Sequence, residues 1–195
     1  FNNPGITQND AFKSVTKYFD RLTRPEQILQ TFPQAIQIML DPADCGPACI
    51  SMSQDVQGET FDYPEEFFKE IIHNIRRPRP DDYQIKQSVE KIKSSKNPIL
   101  ISGGGVFYSD AMEDLGNFAV KHNIPVTQTV MGYSTMKKDH SHFLGPIGGL
   151  GGKAANNLAK QTDLAIAVGT KLGDFTTGSW ANFENQNFSL VSINV

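Results

Sequence analysis

From Asp81 onward the sequence alternates between two kinds of segment. Short runs rich in apolar residues fall at 98–102, 124–130, 163–169 and 189–195. Before and between them lie stretches with helical spacing. Ile85, Val89 and Ile92 mark one face, Met112, Leu115, Phe118, Ala119 and His122 a second, and Ala155, Leu158 and Ala159 a third. A strand that is apolar on successive residues is buried on both faces, and helices on both sides are what bury it. The pattern predicts an α/β fold: a three-layer αβα arrangement around a doubly wound, mostly parallel, Rossmann-like sheet. Ligands of such sheets lie outside the carboxyl ends of the strands. Here those ends carry Gly103-Gly104-Gly105, Met131-Gly132 and the stretch from Gly169 to Asp174, which predicts a nucleotide-sized crevice.

A net charge of −3 over 195 residues provides no basic face for nucleic acid or an anionic membrane. Hydrophobic residues at 38% and charged residues at 20% suit a soluble globular protein. No apolar run is long enough to span a bilayer and no signal-peptide pattern opens the chain, so a cytoplasmic location is expected. Cys45 and Cys49, in Cys-Gly-Pro-Ala-Cys, are too few for a disulfide scaffold and too widely spaced for Cys-x-x-Cys; two reduced thiols are expected. The chain starts at Phe1 without a methionine and stops at Val195 directly after a strand-like run, so both ends are expected to be cuts.

Ahead of the alternating region a short amphipathic helix is expected around 11–19. Pro25 suits a first helical turn, with Thr23 or Arg24 as cap and Ile28, Leu29 and Phe32 on one face. Pro33 should open a second short helix with Ile36, Met39 and Leu40 inward, stopped by Asp41-Pro42. Residues 48–56 suit a strand. Residues 57–81 bring Pro64, Pro78 and Pro80, the aromatics Phe61, Tyr63, Phe67 and Phe68, and the bases Arg76, Arg77 and Arg79. They suggest a linker that hugs a surface.

Several motifs invite chemistry. The amides of Gly103-Gly104-Gly105 could hold a phosphate at a helix start. The dinucleotide fingerprint, however, needs glycine where Tyr108 stands, and a tight turn is the alternative. Gly145 to Lys153 fails as a P-loop at Ile147 and Ala154; it reads as a mobile loop over the crevice, with Lys153 still able to meet a phosphate as a point charge. Asp110, with Glu113 three residues on, should cap the helix that follows. His140 and His142 lie beside Asp139 without a third ligand, which suggests a solvated turn. Asp174-Phe-Thr-Thr-Gly-Ser-Trp180 gathers polar groups and the single Trp just past a strand end, where they suit hydrogen bonding to a ligand or another subunit. The candidate cofactor-binding residues are therefore Gly103, Gly104, Gly105, Lys153 and Asp174. No nucleophile–base pair and no Gly-x-Ser-x-Gly is present.

Taken together, Thr23-Arg-Pro-Glu-Gln27, Asp41-Pro-Ala-Asp-Cys-Gly-Pro47, Gln54-Asp-Val-Gln57, Gly103-Gly-Gly-Val106, the loop from Gly145 to Gly152 with Ala155-Asn156, and Asp174 to Trp180 carry a resemblance. The chain resembles the acetolactate-synthase-like group of thiamine-diphosphate enzymes over essentially its whole length. Within that group it is most similar to the ring-opening hydrolases of myo-inositol breakdown. The resemblance implies a parent of three domains. Residues 1–60 would be the C-terminal remnant of the pyrimidine-binding domain, 61–80 a linker and 81–195 the central Rossmann-like domain.

The reaction it implies is hydrolytic opening of a cyclic, polyol-derived diketone, carried by thiamine diphosphate with magnesium, in a homo-oligomer. The glutamate that activates the cofactor would precede Phe1, and the Gly-Asp-Gly…Asn-Asn metal motif would lie in the third domain. Asn156-Asn157 has no Gly-Asp-Gly upstream. The resemblance thus implies a non-catalytic scaffold that binds neither thiamine diphosphate nor magnesium by itself. In acetolactate synthases the equivalent domain binds FAD, so FAD or ADP is what the crevice would take. Two alternatives remain at this point: a carboligase of the acetolactate synthase type, and a stand-alone regulatory module binding ADP, FAD or NAD at Gly103 to Gly105 and the loop near Lys153.

Overall fold

A computed structural model describes residues 7–195; residues 1–6, the start of the predicted 1–60 segment, lie outside the described residues. The chain divides into two compact units, Phe1–Arg79 and Pro80–Val195.

The first unit is built on two parallel strands. A single helical turn, α1 (Asp10–Lys13), is followed by β1 (Tyr18–Leu22). The helix expected over 11–19 is therefore mostly absent. A helix that short is marginal in water unless it buries a face, and Phe12 and Val15 are exposed. Residues 18–22 instead gain a parallel ladder to β2 (Ala48–Met52), in register from Tyr18 opposite Ala48 to Leu22 opposite Met52. A 3-10 turn at Pro25–Gln27 leads into α2 (Ile28–Met39), which runs straight through Pro33 rather than restarting there. Thr31 and Ala35 are buried, and that packing keeps the helix whole despite the hydrogen bond a proline cannot make. The entry is capped from behind: Gln27 Oε1 accepts the amides of Thr23 (2.7 Å) and Arg24 (3.1 Å). β2 ends at Met52, and Val56 belongs to the one-turn α3 (Gln54–Gln57), so the predicted strand is shorter than 48–56. Tyr63 gathers Phe61, Phe67 and Phe68 around it at ring separations of 5.0–6.2 Å. Residues 69–79 are all exposed.

In the second unit α4 (Asp82–Ser94) is followed by β3 (Pro98–Ser102), α5 (Gly104–Tyr108), α6 (Met112–His122), β4 (Val126–Gln128) and β5 (Phe143–Pro146). Then come α7 (Lys153–Gln161), β6 (Leu164–Val168), α8 (Asp174–Thr177) and β7 (Ser189–Ile193). The strands lie in the order β5-β4-β3-β6-β7, every neighbouring pair parallel. The predicted α/β class and doubly wound parallel sheet are what the structure has. β5 was not foreseen, because its four residues run into the glycine loop. Asp110 does not cap α6: it sits in a left-handed turn (φ 53°), and the N-cap position is Ala111. Asp81 does cap α4, accepting the Gln84 amide at 2.7 Å.

Alternation along the strands builds two cores. Leu100, Val126, Leu164, Ile166 and Val191 face one side and pack with Val106, Leu115 and Ala119 of α5 and α6. Ile99, Ile101, Ala165 and Ala167 face the other and pack with Ala155 and Ala159 of α7. Small residues on both partners let α7 lie close on the sheet, and both alanine pairs are 0% exposed. Burial on both faces is why β3 and β6 read as continuous apolar runs.

Candidate functional site

The sheet reverses its winding between β3 and β6, since β3 leads outward to β4 and β6 leads the other way to β7. The loops leaving those two strands meet at the point where such folds hold ligands. Their contact is unusually close. A Cβ on Gly103 would stand 2.3 Å from the Gly169 carbonyl oxygen, and one on Gly105 would stand 2.6 Å from the Gly169 Cα. Gly169 has φ +62°, a backbone state that favours glycine. The Gly103 amide donates to the Val168 carbonyl (2.8 Å) and the Gly105 amide to the Gly169 carbonyl (2.9 Å). Two of the three amides considered for phosphate are thus engaged in tying β3 to β6. Gly104 instead opens onto a cavity of about 280 Å³ lined with Phe107, Tyr108, Met131, Tyr133 and Ser134.

That cavity is framed by a loop held from below. Ser102 and Thr135 are fully buried; Ser102 Oγ donates to Thr135 Oγ1, which donates to the Gly132 carbonyl, both at 2.6 Å. The Gly132 amide returns to Thr129 Oγ1 at 3.0 Å. The segment is pinned by its polar groups and turns its apolar ones outward, leaving Met131 75% and Tyr133 63% exposed. The Lys138 ammonium lies 5.9 Å from the Tyr133 ring centroid. Gln128, at the end of β4, is 7% exposed, and its Oε1 has no hydrogen-bond partner among the described residues.

Lys153 and Asp174 lie in the segments that follow β5 and β6. Lys153 is the exposed first residue of α7, with Gly152 as its N-cap. Asp174, also exposed, opens α8 and accepts from Ser179 Oγ at 2.8 Å. Their two loops touch: the Gly149 amide donates to the Phe175 carbonyl at 2.8 Å. The glycine loop expected to be mobile is therefore pinned. Asn156 holds it as well, and sequence reasoning missed that role, treating the Asn pair only as a failed metal motif. The candidate residues fall into two groups, Gly103 to Gly105 with Gly169, and the Lys153 loop with Asp174. Phe107, Tyr108 and Tyr133, which line the cavity, were not singled out; their only sequence signal is aromatic residues within three positions of strand-end glycines.

His140 and His142 make a wired turn. His142 Nε2 pairs with Asn123 Oδ1 (3.0 Å), and the His142 amide donates to His140 Nδ1 (3.2 Å). Among the described residues no group of three or more His, Cys, Asp or Glu stands where it could hold a metal ion. No helix among them is long and apolar enough to cross a membrane. Cys45 and Cys49 are both unpaired thiols.

Residues 85–195 match the family described as thiamine pyrophosphate enzyme, central domain. Over 193 residues the chain is 47% identical to a 3D-(3,5/4)-trihydroxycyclohexane-1,2-dione hydrolase of Clostridium perfringens. It is 46% identical to one of Clostridium tetani over the same length, and 44% identical over 190 residues to one of Bacillus cereus. These matches take in 97–99% of the chain, which spans 30% of the length of each relative.

Proposed function

Because the chain belongs to the thiamine pyrophosphate enzymes through its central domain, we propose that it is a structural part of an enzyme that opens the ring of trihydroxycyclohexane-1,2-dione by hydrolysis. The observation that carries this reading is identity of 44–47% to hydrolases of that name, extending across residues that lie before the central domain. Residues 1–60 are then the end of a pyrimidine-binding domain and 61–80 the connection. Thiamine diphosphate supplies the carbanion chemistry at the carbonyl carbon when bound in the whole enzyme. Magnesium would hold its diphosphate in the whole enzyme. The enzyme is expected to be cytoplasmic and homo-oligomeric.

The test uses the full-length protein. With thiamine diphosphate and magnesium it should consume the cyclic dione and yield an open-chain acid, while the 195-residue chain alone turns over nothing. Acetolactate formed from pyruvate, with the dione untouched, would replace this reading by a carboligase.

A second reading, nucleotide binding at the carboxyl rim, is favoured by the reversal point between β3 and β6. Gly104, with Gly103 and Gly105 behind it, would approach the ligand, and Lys153 and Asp174 would supply the charges. The Gly103 and Gly105 amides are already bonded, which counts against a phosphate there. Calorimetry of the chain with ADP, FAD and NAD decides it: the absence of heat at millimolar ligand ends this second reading.

A further inference from the structure

We propose that Asn156 locks the glycine loop 145–152 and the loop 173–183 into a single opening unit, so that this part of the sheet's carboxyl rim opens all at once or stays shut. The Asn156 amide meets both backbone groups of one residue: Oδ1 accepts from the Gly148 N–H at 2.9 Å and Nδ2 donates to the Gly148 carbonyl at 3.0 Å. The same Oδ1 accepts from Asn182 Nδ2 at 3.5 Å, so one side chain reaches both loops. An amide side chain has an acceptor oxygen and a donor nitrogen, and here both are used. The loops also touch directly. The Gly149 amide donates to the Phe175 carbonyl at 2.8 Å, and a Cβ on Gly148 would stand 2.0 Å from that oxygen.

The second loop holds a conformation that needs support. Gly178, Ser179 and Trp180 are successive left-handed residues, with φ of 57°, 55° and 67°. Serine and tryptophan keep such angles only where their surroundings over-determine them. The Ser179 amide donates to the Asp174 carbonyl (3.1 Å), the Trp180 amide to Thr177 Oγ1 (3.2 Å) and the Asn182 amide to the Thr177 carbonyl (3.2 Å). Asn182 is thus shared by the strained turn and the Asn156 clamp. Freeing the glycine loop removes a support of the strained turn, and relaxing the turn pulls on the clamp. A molecule that engages the exposed Phe175 or Trp180 would set both loops together.

Native-state hydrogen exchange on the 195-residue chain tests this across a series of urea concentrations below unfolding. The Gly151 amide reports the first loop, and the Ser179 and Asn182 amides the second. In the unsubstituted chain these amides should share one protection factor and one urea dependence; distinct values for the two loops overturn the proposal without any variant. In Asn156→Ala all three should lose protection by about tenfold, the scale of a lost half-buried hydrogen-bond pair, while the Leu100 amide in the sheet keeps its own. Loss confined to Gly151 overturns it equally.

Discussion

Asp163 shows how much one side chain can tie together. Its carboxylate accepts from Ser95 Oγ and from the amides of Lys96 (2.7 Å) and Asn97 (3.0 Å), anchoring the turn between α4 and β3 to the start of β6. Burial alone would raise this carboxyl's pKa, but those hydrogen bonds outweigh it and hold the pKa below the ordinary aspartate value. A depressed carboxyl contributes stability above its unfolded pKa and loses it as pH falls through the folded value. Asp163→Ala should therefore cost about 1–3 kcal/mol at pH 7. The gap to the unsubstituted chain should narrow below about pH 4, where the unfolded carboxyl begins to protonate. Urea melts at both pH values check the sign; a pH-independent difference would remove the charge from the explanation. The glycines divide in the same residue-level way. Gly103→Ala drives a methyl into the Gly169 carbonyl and should cost about 1–3 kcal/mol. Gly173→Ala meets nothing within 4 Å and should stay within about 0.5 kcal/mol in the same melts.

Among the elements, α7 has little room. Ala155 and Ala159 face Ala165 and Ala167 with no exposure on either side. Ala159→Leu adds three carbons where no gap exists, and should destabilise the second unit by about 1–3 kcal/mol through overpacking. Thermal melts with near-ultraviolet circular dichroism would register it; an unchanged midpoint would show that α7 can lift away. α2 illustrates the opposite balance. Its interior Pro33 argues for a break, yet burial of Thr31 and Ala35 outweighs the one lost bond. Asp20 on β1 accepts from Thr31 Oγ1 at 2.6 Å, which holds its pKa down and adds a polar tie to the apolar packing of that helix.

For the whole molecule, two units joined by an exposed stretch predict where a protease enters first. Proline follows Arg77 and Arg79, and trypsin cuts poorly before proline. Limited trypsin digestion should therefore cleave first after Lys69 and Arg76 and leave a resistant piece covering the second unit. Early cuts inside β3 to β7 would contradict the compactness of that unit. The apolar side chains exposed along the stretch, Phe68, Ile71, Ile72 and Ile75, belong to no core within either unit.

By itself the sequence determined the class of fold and the places of β3, α6, α7, β6 and β7, because period and continuity of apolar residues report which faces lose water. It also carried enough motif to point to the thiamine-diphosphate enzymes. Only the tertiary structure decided the order of the strands, the pairing that made 18–22 a strand, and the addition of Phe143–Pro146 to the sheet edge. It alone showed that the glycine triplet packs against Gly169, and that Asn156 pins a loop whose composition suggests mobility. Those outcomes depend on contacts between residues far apart in the chain. Hydrophobic periodicity records how deeply a residue is buried and says nothing about which neighbour buries it.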